Sequence, residues 1–179
     1  MKRLLLLRHA QAMPAEGGSD IDRALSPKGL SDALALGQVL KVKGLTPSHI
    51  LCSSAKRTQQ TCGEVLKGLD DNIHTEFSKA IYSAAFGDLL RLIQRADDEL
   101  ESLMIIGHNP TIYEMAVRMG AEGPDSVLNH LGQGYAPATL SVIEVDTERW
   151  AEIDPNECKI TALFDPLDYN APARPTRWT

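Results

Sequence analysis

The sequence predicts an α/β protein, with a mostly parallel central sheet and helices on both faces. Three observations carry this expectation. Short apolar runs, too brief for helices, alternate with longer segments whose apolar residues recur at helical spacing. The resulting order, β-α-β-α-β-α-β-α-β-β, is that of a layered fold with crossover helices. Three of the apolar runs also end in basic residues. Leu4-Leu5-Leu6-Leu7 stops at Arg8-His9, Ile50-Leu51-Cys52-Ser53-Ser54 leads to Arg57, and Leu103-Met104-Ile105-Ile106 leads through Gly107 to His108. In open α/β sheets the carboxyl edge of the strands is where ligands bind.

Residues 3–7 read as a buried strand, and the Gly- and Asp-containing stretch 10–25 as a loop. Ser26-Pro27 then starts a helix, with Ser as N-cap and Pro in the first turn. Leu30, Ala33, Leu34, Gly37 and Leu40 form its apolar stripe, and Gly44 stops it. A second strand spans 49–53, followed by a helix from about 55 to 66 that Gly68 closes. Residues 73–77 form an edge strand, 86–96 a helix and 102–106 another buried strand. Pro110 opens a helix to about Met119, and 120–137 reads as irregular. Leu140–Val145 alternates as a strand, with Lys159–Phe164 as its partner. The Pro-rich end from Pro166 reads as coil or a fraying terminus.

The 179 residues, 43% hydrophobic, suit one compact domain over 1–179. A net charge of -6 argues against non-specific nucleic-acid binding. The three cysteines, Cys52, Cys62 and Cys158, follow no CxxC spacing and read as reduced thiols, two of them in the core. The apolar run after Lys2-Arg3 is too short for a signal peptide, and no segment approaches membrane-spanning length. The expectation is a cytoplasmic protein without a membrane partner.

An isolated Arg-His pair at a strand end is most often a surface ion pair. Here it has partners. Arg57 lies at a helix start, where free N–H groups and the helix dipole already attract anions and a guanidinium adds a fork matched to phosphate oxygens. His108 in Gly107-His108-Asn109-Pro110 again precedes a helix. Two arginines and two histidines converging on an acidic protein point to a phosphate monoester or phosphoramidate site.

Other features carry less. Asp20-x-Asp22 reads as a loop or cap element rather than a Mg²⁺ site, with Asp22 available to orient Arg23. Gly132-x-Gly134 lacks the third glycine of a dinucleotide site. His49, His74 and His130 lack metal-ligand spacing and read as surface or structural residues, and Lys41-Val42-Lys43 as a solvated helix end.

Arg8-His9-Ala10, then Ser53 to Thr58, then Gly107 to Pro110, resemble in order and context the motifs of the histidine phosphatase superfamily, also called phosphoglycerate mutase-like. Arg8-His9-Ala10-Gln11-Ala12, Asp22-Arg23-Ala24-Leu25-Ser26-x-x-Gly29, Thr58-Gln59-Gln60-Thr61 and Gly107-His108-Asn109-Pro110 resemble its small, lidless SixA-type branch. The similarity spans roughly residues 3–145. It implies a metal-independent phosphatase without cofactor. His9 would be the nucleophile, Arg8 and Arg57 would bind phosphoryl oxygens, and His108 would donate a further hydrogen bond. Arg23 would help bind substrate.

Two departures from the wider superfamily stand out. Ser54 stands where Pro is common, which bears on the turn into the Arg57 helix. Larger members carry a carboxylate general acid after the third strand, whereas Ala80-Ile81-Tyr82-Ser83-Ala84-Ala85 has none, and Glu76 and Asp88 read as structural. An alkoxide leaving group needs a proton. A phosphohistidine can leave as neutral imidazole. The missing acid therefore favours phosphohistidine in a protein as substrate. A phosphomonoesterase for a small phosphorylated metabolite or nucleotide is the alternative. A mutase fits less well, because it must exclude water. A non-catalytic phosphate-binding regulatory module is the alternative of another class.

Overall fold

The computed structural model describes residues 1–169. Its six strands are β1 (Lys2–Arg8), β2 (His49–Ser53), β3 (Thr75–Ser78), β4 (Ser102–Gly107), β5 (Leu140–Val145) and β6 (Cys158–Phe164). They lie in the order β3-β2-β4-β1-β5-β6. The β3-β2, β2-β4 and β4-β1 pairs are parallel, and β1-β5 and β5-β6 are antiparallel. The helices are α1 (Pro27–Lys43), α2 (Lys56–Leu69), α3 (Lys79–Tyr82), α4 (Phe86–Gln94), α5 (Thr111–Met119), α6 (Asp125–Gly132) and α7 (Pro166–Tyr169).

The apolar runs work as two-faced strands. Leu4 and Leu6 of β1 pack with α4, α5 and Leu131 of α6, while Leu5 and Leu7 pack with α1 and α2. The same period-2 split sends Leu103 and Ile105 of β4 to one face and Met104 and Ile106 to the other. A sheet covered on both faces can afford unbroken apolar strands, which is why the runs do not alternate with polar residues.

Caps follow the local chemistry. The Ser26 side chain accepts a hydrogen bond from the Gly29 amide at the start of α1, and Gly44 ends the helix at a φ of 65°. The buried stripe of α1 is rotated from the expected one, with Leu36 buried and Leu30 and Leu34 half-buried. Gly68 does not close α2. The helix runs to Leu69 and stops at Asp70, whose φ is 55°. Gly68 instead permits close contact with α1, because a Cβ there would lie 2.3 Å from the Leu34 carbonyl oxygen.

Three further expectations are corrected. The segment 120–137 contains α6, an eight-residue helix set among Gly120, Gly123, Gly132 and Gly134, with Leu131 as its buried residue. Pro166 begins the short helix α7 rather than coil, and the rest of the Pro-rich end, 170–179, lies outside the described residues. All three cysteines, not two, are buried, and all are free thiols. No described helix is long and apolar enough to cross a membrane.

Register delivers the basic residues to one edge. Arg8 of β1 pairs with Gly107 of β4, and Cys52 of β2 pairs with Ile106. His9, His108 and Ser53 therefore leave three adjacent strands side by side. Helix α1 packs on one face of the sheet and α5 on the other, so the chain leaves β1 and β4 toward opposite faces at this edge, the arrangement at which open α/β sheets bind ligands.

Candidate active site

The His9 amide donates to the Gly107 carbonyl at 3.0 Å, which clamps the end of β1 to β4. The next amide, that of Ala10, donates to Thr61 Oγ1 at 3.0 Å, and Thr61 in turn donates to the Arg57 carbonyl. The Thr58–Thr61 segment thus joins the chain beyond His9 to the helix that carries Arg57. Thr58 Oγ1 secures the turn into α2 through the Ser53 and Ala55 carbonyls, at 2.8 and 2.7 Å. Within that turn the Ser54 amide donates to the Ser78 carbonyl at 3.2 Å, a bond that a proline could not make.

The His9 and His108 rings lie 5.3 Å apart between centroids. His9 Nδ1 is 2.7 Å from the Ala10 carbonyl oxygen. A carbonyl can only accept, so Nδ1 carries the proton and Nε2 keeps its lone pair in the neutral ring. His108 Nε2 is 2.8 Å from Ser53 Oγ. Burial lowers the His9 pKa to about 4, with the Arg57, Arg8 and Arg23 charges adding to the effect. Burial and then Arg57 lower that of His108 to about 3. Both rings are therefore neutral at neutral pH.

Arg8 Nη1 donates to the Tyr135 carbonyl at 2.8 Å, and Asn109 Nδ2 reaches the same oxygen at 3.1 Å. The Tyr135 ring is buried and its hydroxyl donates to the Leu6 carbonyl. The Arg57 side chain is 7% exposed. Its Nη1 donates to the Asp20 carbonyl oxygen at 2.7 Å and its Nη2 to Asp20 Oδ2 at 3.1 Å. Several buried polar atoms here have no partner among the described residues: Arg8 Nε, Arg57 Nε, His108 Nδ1 and Asn109 Oδ1. Unsatisfied polar groups are costly, and their concentration at one strand edge is characteristic of a functional site.

All five sequence-predicted residues, Arg8, His9, Arg23, Arg57 and His108, lie at this edge. Two residues at the site were missed. Asp20 is not simply a loop or cap residue. Its carboxylate accepts from Tyr82 at 2.6 Å, Arg23 at 3.1 Å and Arg57 at 3.1 Å. Arg23 accordingly pairs with Asp20, not with Asp22. Hydrogen bonds from Tyr82 and then Arg23 hold the Asp20 carboxyl well below the usual carboxylate range. Tyr82 comes from the segment that lacks the expected acid. Its ring stands edge-on to His108, with centroids 5.4 Å apart. A cavity of about 190 Å³ lined by Tyr82, Ala84, His108, Asn109 and Thr111 opens beside it.

Asp88 behaves as expected of a structural residue, accepting from the Ala85 amide and Arg91 at the start of α4. His130, Asp165 and Asp168 cluster elsewhere, with ligand atoms within 4.8 Å of one another. Capping accounts for that cluster. Asp165 Oδ1 accepts from the Leu167 amide, Asp168 Oδ2 accepts from the Asp165 amide, and His130 bonds Asp165 Oδ2.

A sheet of this order, with Arg-His and His at its carboxyl edge, makes an α/β protein whose basic edge suits an anionic ligand. Comparison with known proteins gives the family. The profile of the histidine phosphatase superfamily (branch 1) matches residues 4–92. The candidate phosphohistidine phosphatase SixA from Agrobacterium tumefaciens has a similar structure, with a TM-score of 0.78 and 28% identity over 92% of this chain and 98% of that one. Its counterpart from Nakamurella multipartitia gives 0.75 and 25%, covering 93% and 96%. An uncharacterized protein of Mycobacterium tuberculosis is 28% identical over 162 residues, 89% of this chain and 99% of its own length. The chain belongs to the histidine phosphatase superfamily, in its SixA-type branch, and is a phosphatase.

Proposed function

We propose that this phosphatase transfers a phosphoryl group from phosphohistidine in a protein to His9 and then to water. The observation that carries the reading is the state of His9: a neutral ring with its proton fixed on Nδ1 by the Ala10 carbonyl, beside the buried Arg57 guanidinium and the half-buried Arg8. In the first step Nε2 attacks phosphorus and the P–N bond of the substrate breaks. If the substrate's other ring nitrogen carries a proton, the leaving group departs as neutral imidazole. Donor and acceptor are then chemically alike, so the transfer is close to balanced and needs no acid. In the second step water attacks the phosphorus on Nε2. His9 departs as neutral imidazole because Nδ1 already holds its proton, and phosphate is released.

Arg8 and Arg57 bind the phosphoryl oxygens, where catalysis consists mainly of positioning and charge stabilisation. His108 adds a hydrogen bond, and Arg23 helps hold the substrate at the rim. Asp20 does not supply the missing acid in the resting site, because its carboxyl is held ionised. An alkyl phosphate therefore lacks a proton donor for its alkoxide. Its turnover should fall below that of a phosphohistidine peptide by a factor of about 10² or more.

The test is to mix labelled phosphohistidine peptide with His108→Ala protein, quench in base and map the acid-labile phosphate. Label on His9 is expected. Label elsewhere, or equal turnover of phosphorylated metabolites and phosphohistidine protein, would overturn the reading. A His9→Ala variant with full cellular function would favour a non-catalytic phosphate-binding module.

A further inference from the structure

We propose that Asp20 is a resident anion of the phosphoryl pocket: its carboxylate fills the Arg57 fork in the empty site and must leave that fork when a phosphoryl group enters. The inference rests on the reading of Arg57 as a phosphoryl ligand and adds to it a residue that sets oxyanion affinity. Three donors from three parts of the chain converge on this carboxylate. Arg23 bonds Oδ1, and Arg57 and Tyr82 both bond Oδ2. Two oxygens on a planar group offer these donors what two oxygens of a phosphoryl group would offer.

The environments of donor and acceptor differ. Arg57 is almost fully buried, whereas the Asp20 side chain is 52% exposed. The fork is fixed and the carboxylate stands at the mouth. It can swing outward at little cost in packing, so an entering anion competes with a side chain already half in solvent. Arg57 does not lose its orientation when this happens, because its Nη1 is held by the main-chain carbonyl of Asp20 at 2.7 Å. The backbone positions the guanidinium, and the carboxylate only occupies it.

Charge gives the consequence. Arg8, Arg23 and Arg57 bring three positive charges and Asp20 one negative, which leaves a net of two to meet a phosphoryl dianion. Phosphate is the product of the reaction, and a pocket without Asp20 would hold it more tightly. By reclaiming the fork, Asp20 favours product release and weakens product inhibition. Tyr82 sets how firmly the carboxylate returns, through its bond to Oδ2.

The experiment measures orthophosphate binding by titration calorimetry and orthophosphate inhibition of turnover. It compares the wild type with Asp20→Asn, Tyr82→Phe and Arg57→Gln, each first checked for unchanged thermal unfolding. In Asp20→Asn the dissociation and inhibition constants should both fall by about tenfold or more, the effect expected of removing one nearby like charge. Tyr82→Phe, which keeps the charge but loosens its hold, should tighten binding by a smaller factor. It also provides a readout if Asp20→Asn folds poorly. Unchanged or weaker phosphate binding in Asp20→Asn, with Arg57→Gln weakened, would overturn the role of Asp20 alone. Unchanged binding in Arg57→Gln would overturn the phosphoryl reading of Arg57 and the proposal with it.

Discussion

His9 has a tautomer that its neighbours dictate. The Ala10 carbonyl accepts only from Nδ1–H, and desolvation together with three guanidiniums keeps a second proton off Nε2. Histidine side-chain ¹H–¹⁵N spectra should therefore show His9 as the neutral Nδ1–H form, unchanged on acidification until about pH 4. Titration near the unperturbed value of ~6.5 would mean that the ring is solvated and the proposed nucleophile unprepared. Arg8, His9, Arg57 and His108 were legible in the sequence because each follows a buried strand, so chain order alone placed them at one edge. Asp20 and Tyr82 were not. Their hydrogen bond joins residues 62 positions apart, and neither has spacing or a neighbour that announces it. The segment after β3, residues 80–85, carries no carboxylate, but the Asp20 carboxylate reaches the site from the first loop.

At the scale of elements, legibility followed burial. The central strands β1, β2 and β4 were plain because both faces are covered. Helix α6 was hidden because it is short and set in a Gly-rich stretch, and the role of Gly68 was misread because a helix-stopping glycine and a helix-packing glycine look alike in sequence. The α1–α2 contact gives a paired test. A Cβ on Gly68 would meet Leu34 O at 2.3 Å and Gly37 Cα at 2.8 Å, both of them backbone atoms that can yield only if the helices separate. A Cβ on Gly63, in the same helix, would meet nothing within 4 Å. Gly68→Ala should destabilise by roughly 1–3 kcal/mol despite the better helix propensity of alanine. Gly63→Ala should stabilise by up to about 1 kcal/mol. Thermal melting followed by circular dichroism separates the two, with midpoints expected to move in opposite directions. Equal shifts would show that the helices are not in backbone contact.

For the whole molecule, the site imposes a pH dependence on folding. His9 and His108 are held neutral in the native protein, with pKa values of about 4 and about 3, and regain the ordinary histidine value of ~6.5 on unfolding. Between these limits the unfolded chain binds more protons than the native one, so stability rises with pH in that window and falls on acidification. The loss begins as pH drops through the unfolded value and is complete only below the folded values. His49, also lowered by burial and by His74, acts in the same direction. From pH 7 to pH 5 each of the two site histidines should cost roughly 1.5–2 kcal/mol, about 3–4 kcal/mol for the pair, since both rings are still largely neutral in the native protein at pH 5. The low pKa of Asp20 has the same sign but acts later, because its stabilisation is lost only as pH falls below the normal carboxylate range. The histidine contribution is therefore isolated above pH ~5. Urea unfolding at pH 7 and pH 5 measures it, with a His9→Gln/His108→Gln variant as reference, since glutamine cannot take up the proton. The variant should lose most of the difference between the two pH values. An equally steep fall in the variant would assign the acid sensitivity to other groups and remove the case for a neutral histidine pair at the sheet edge.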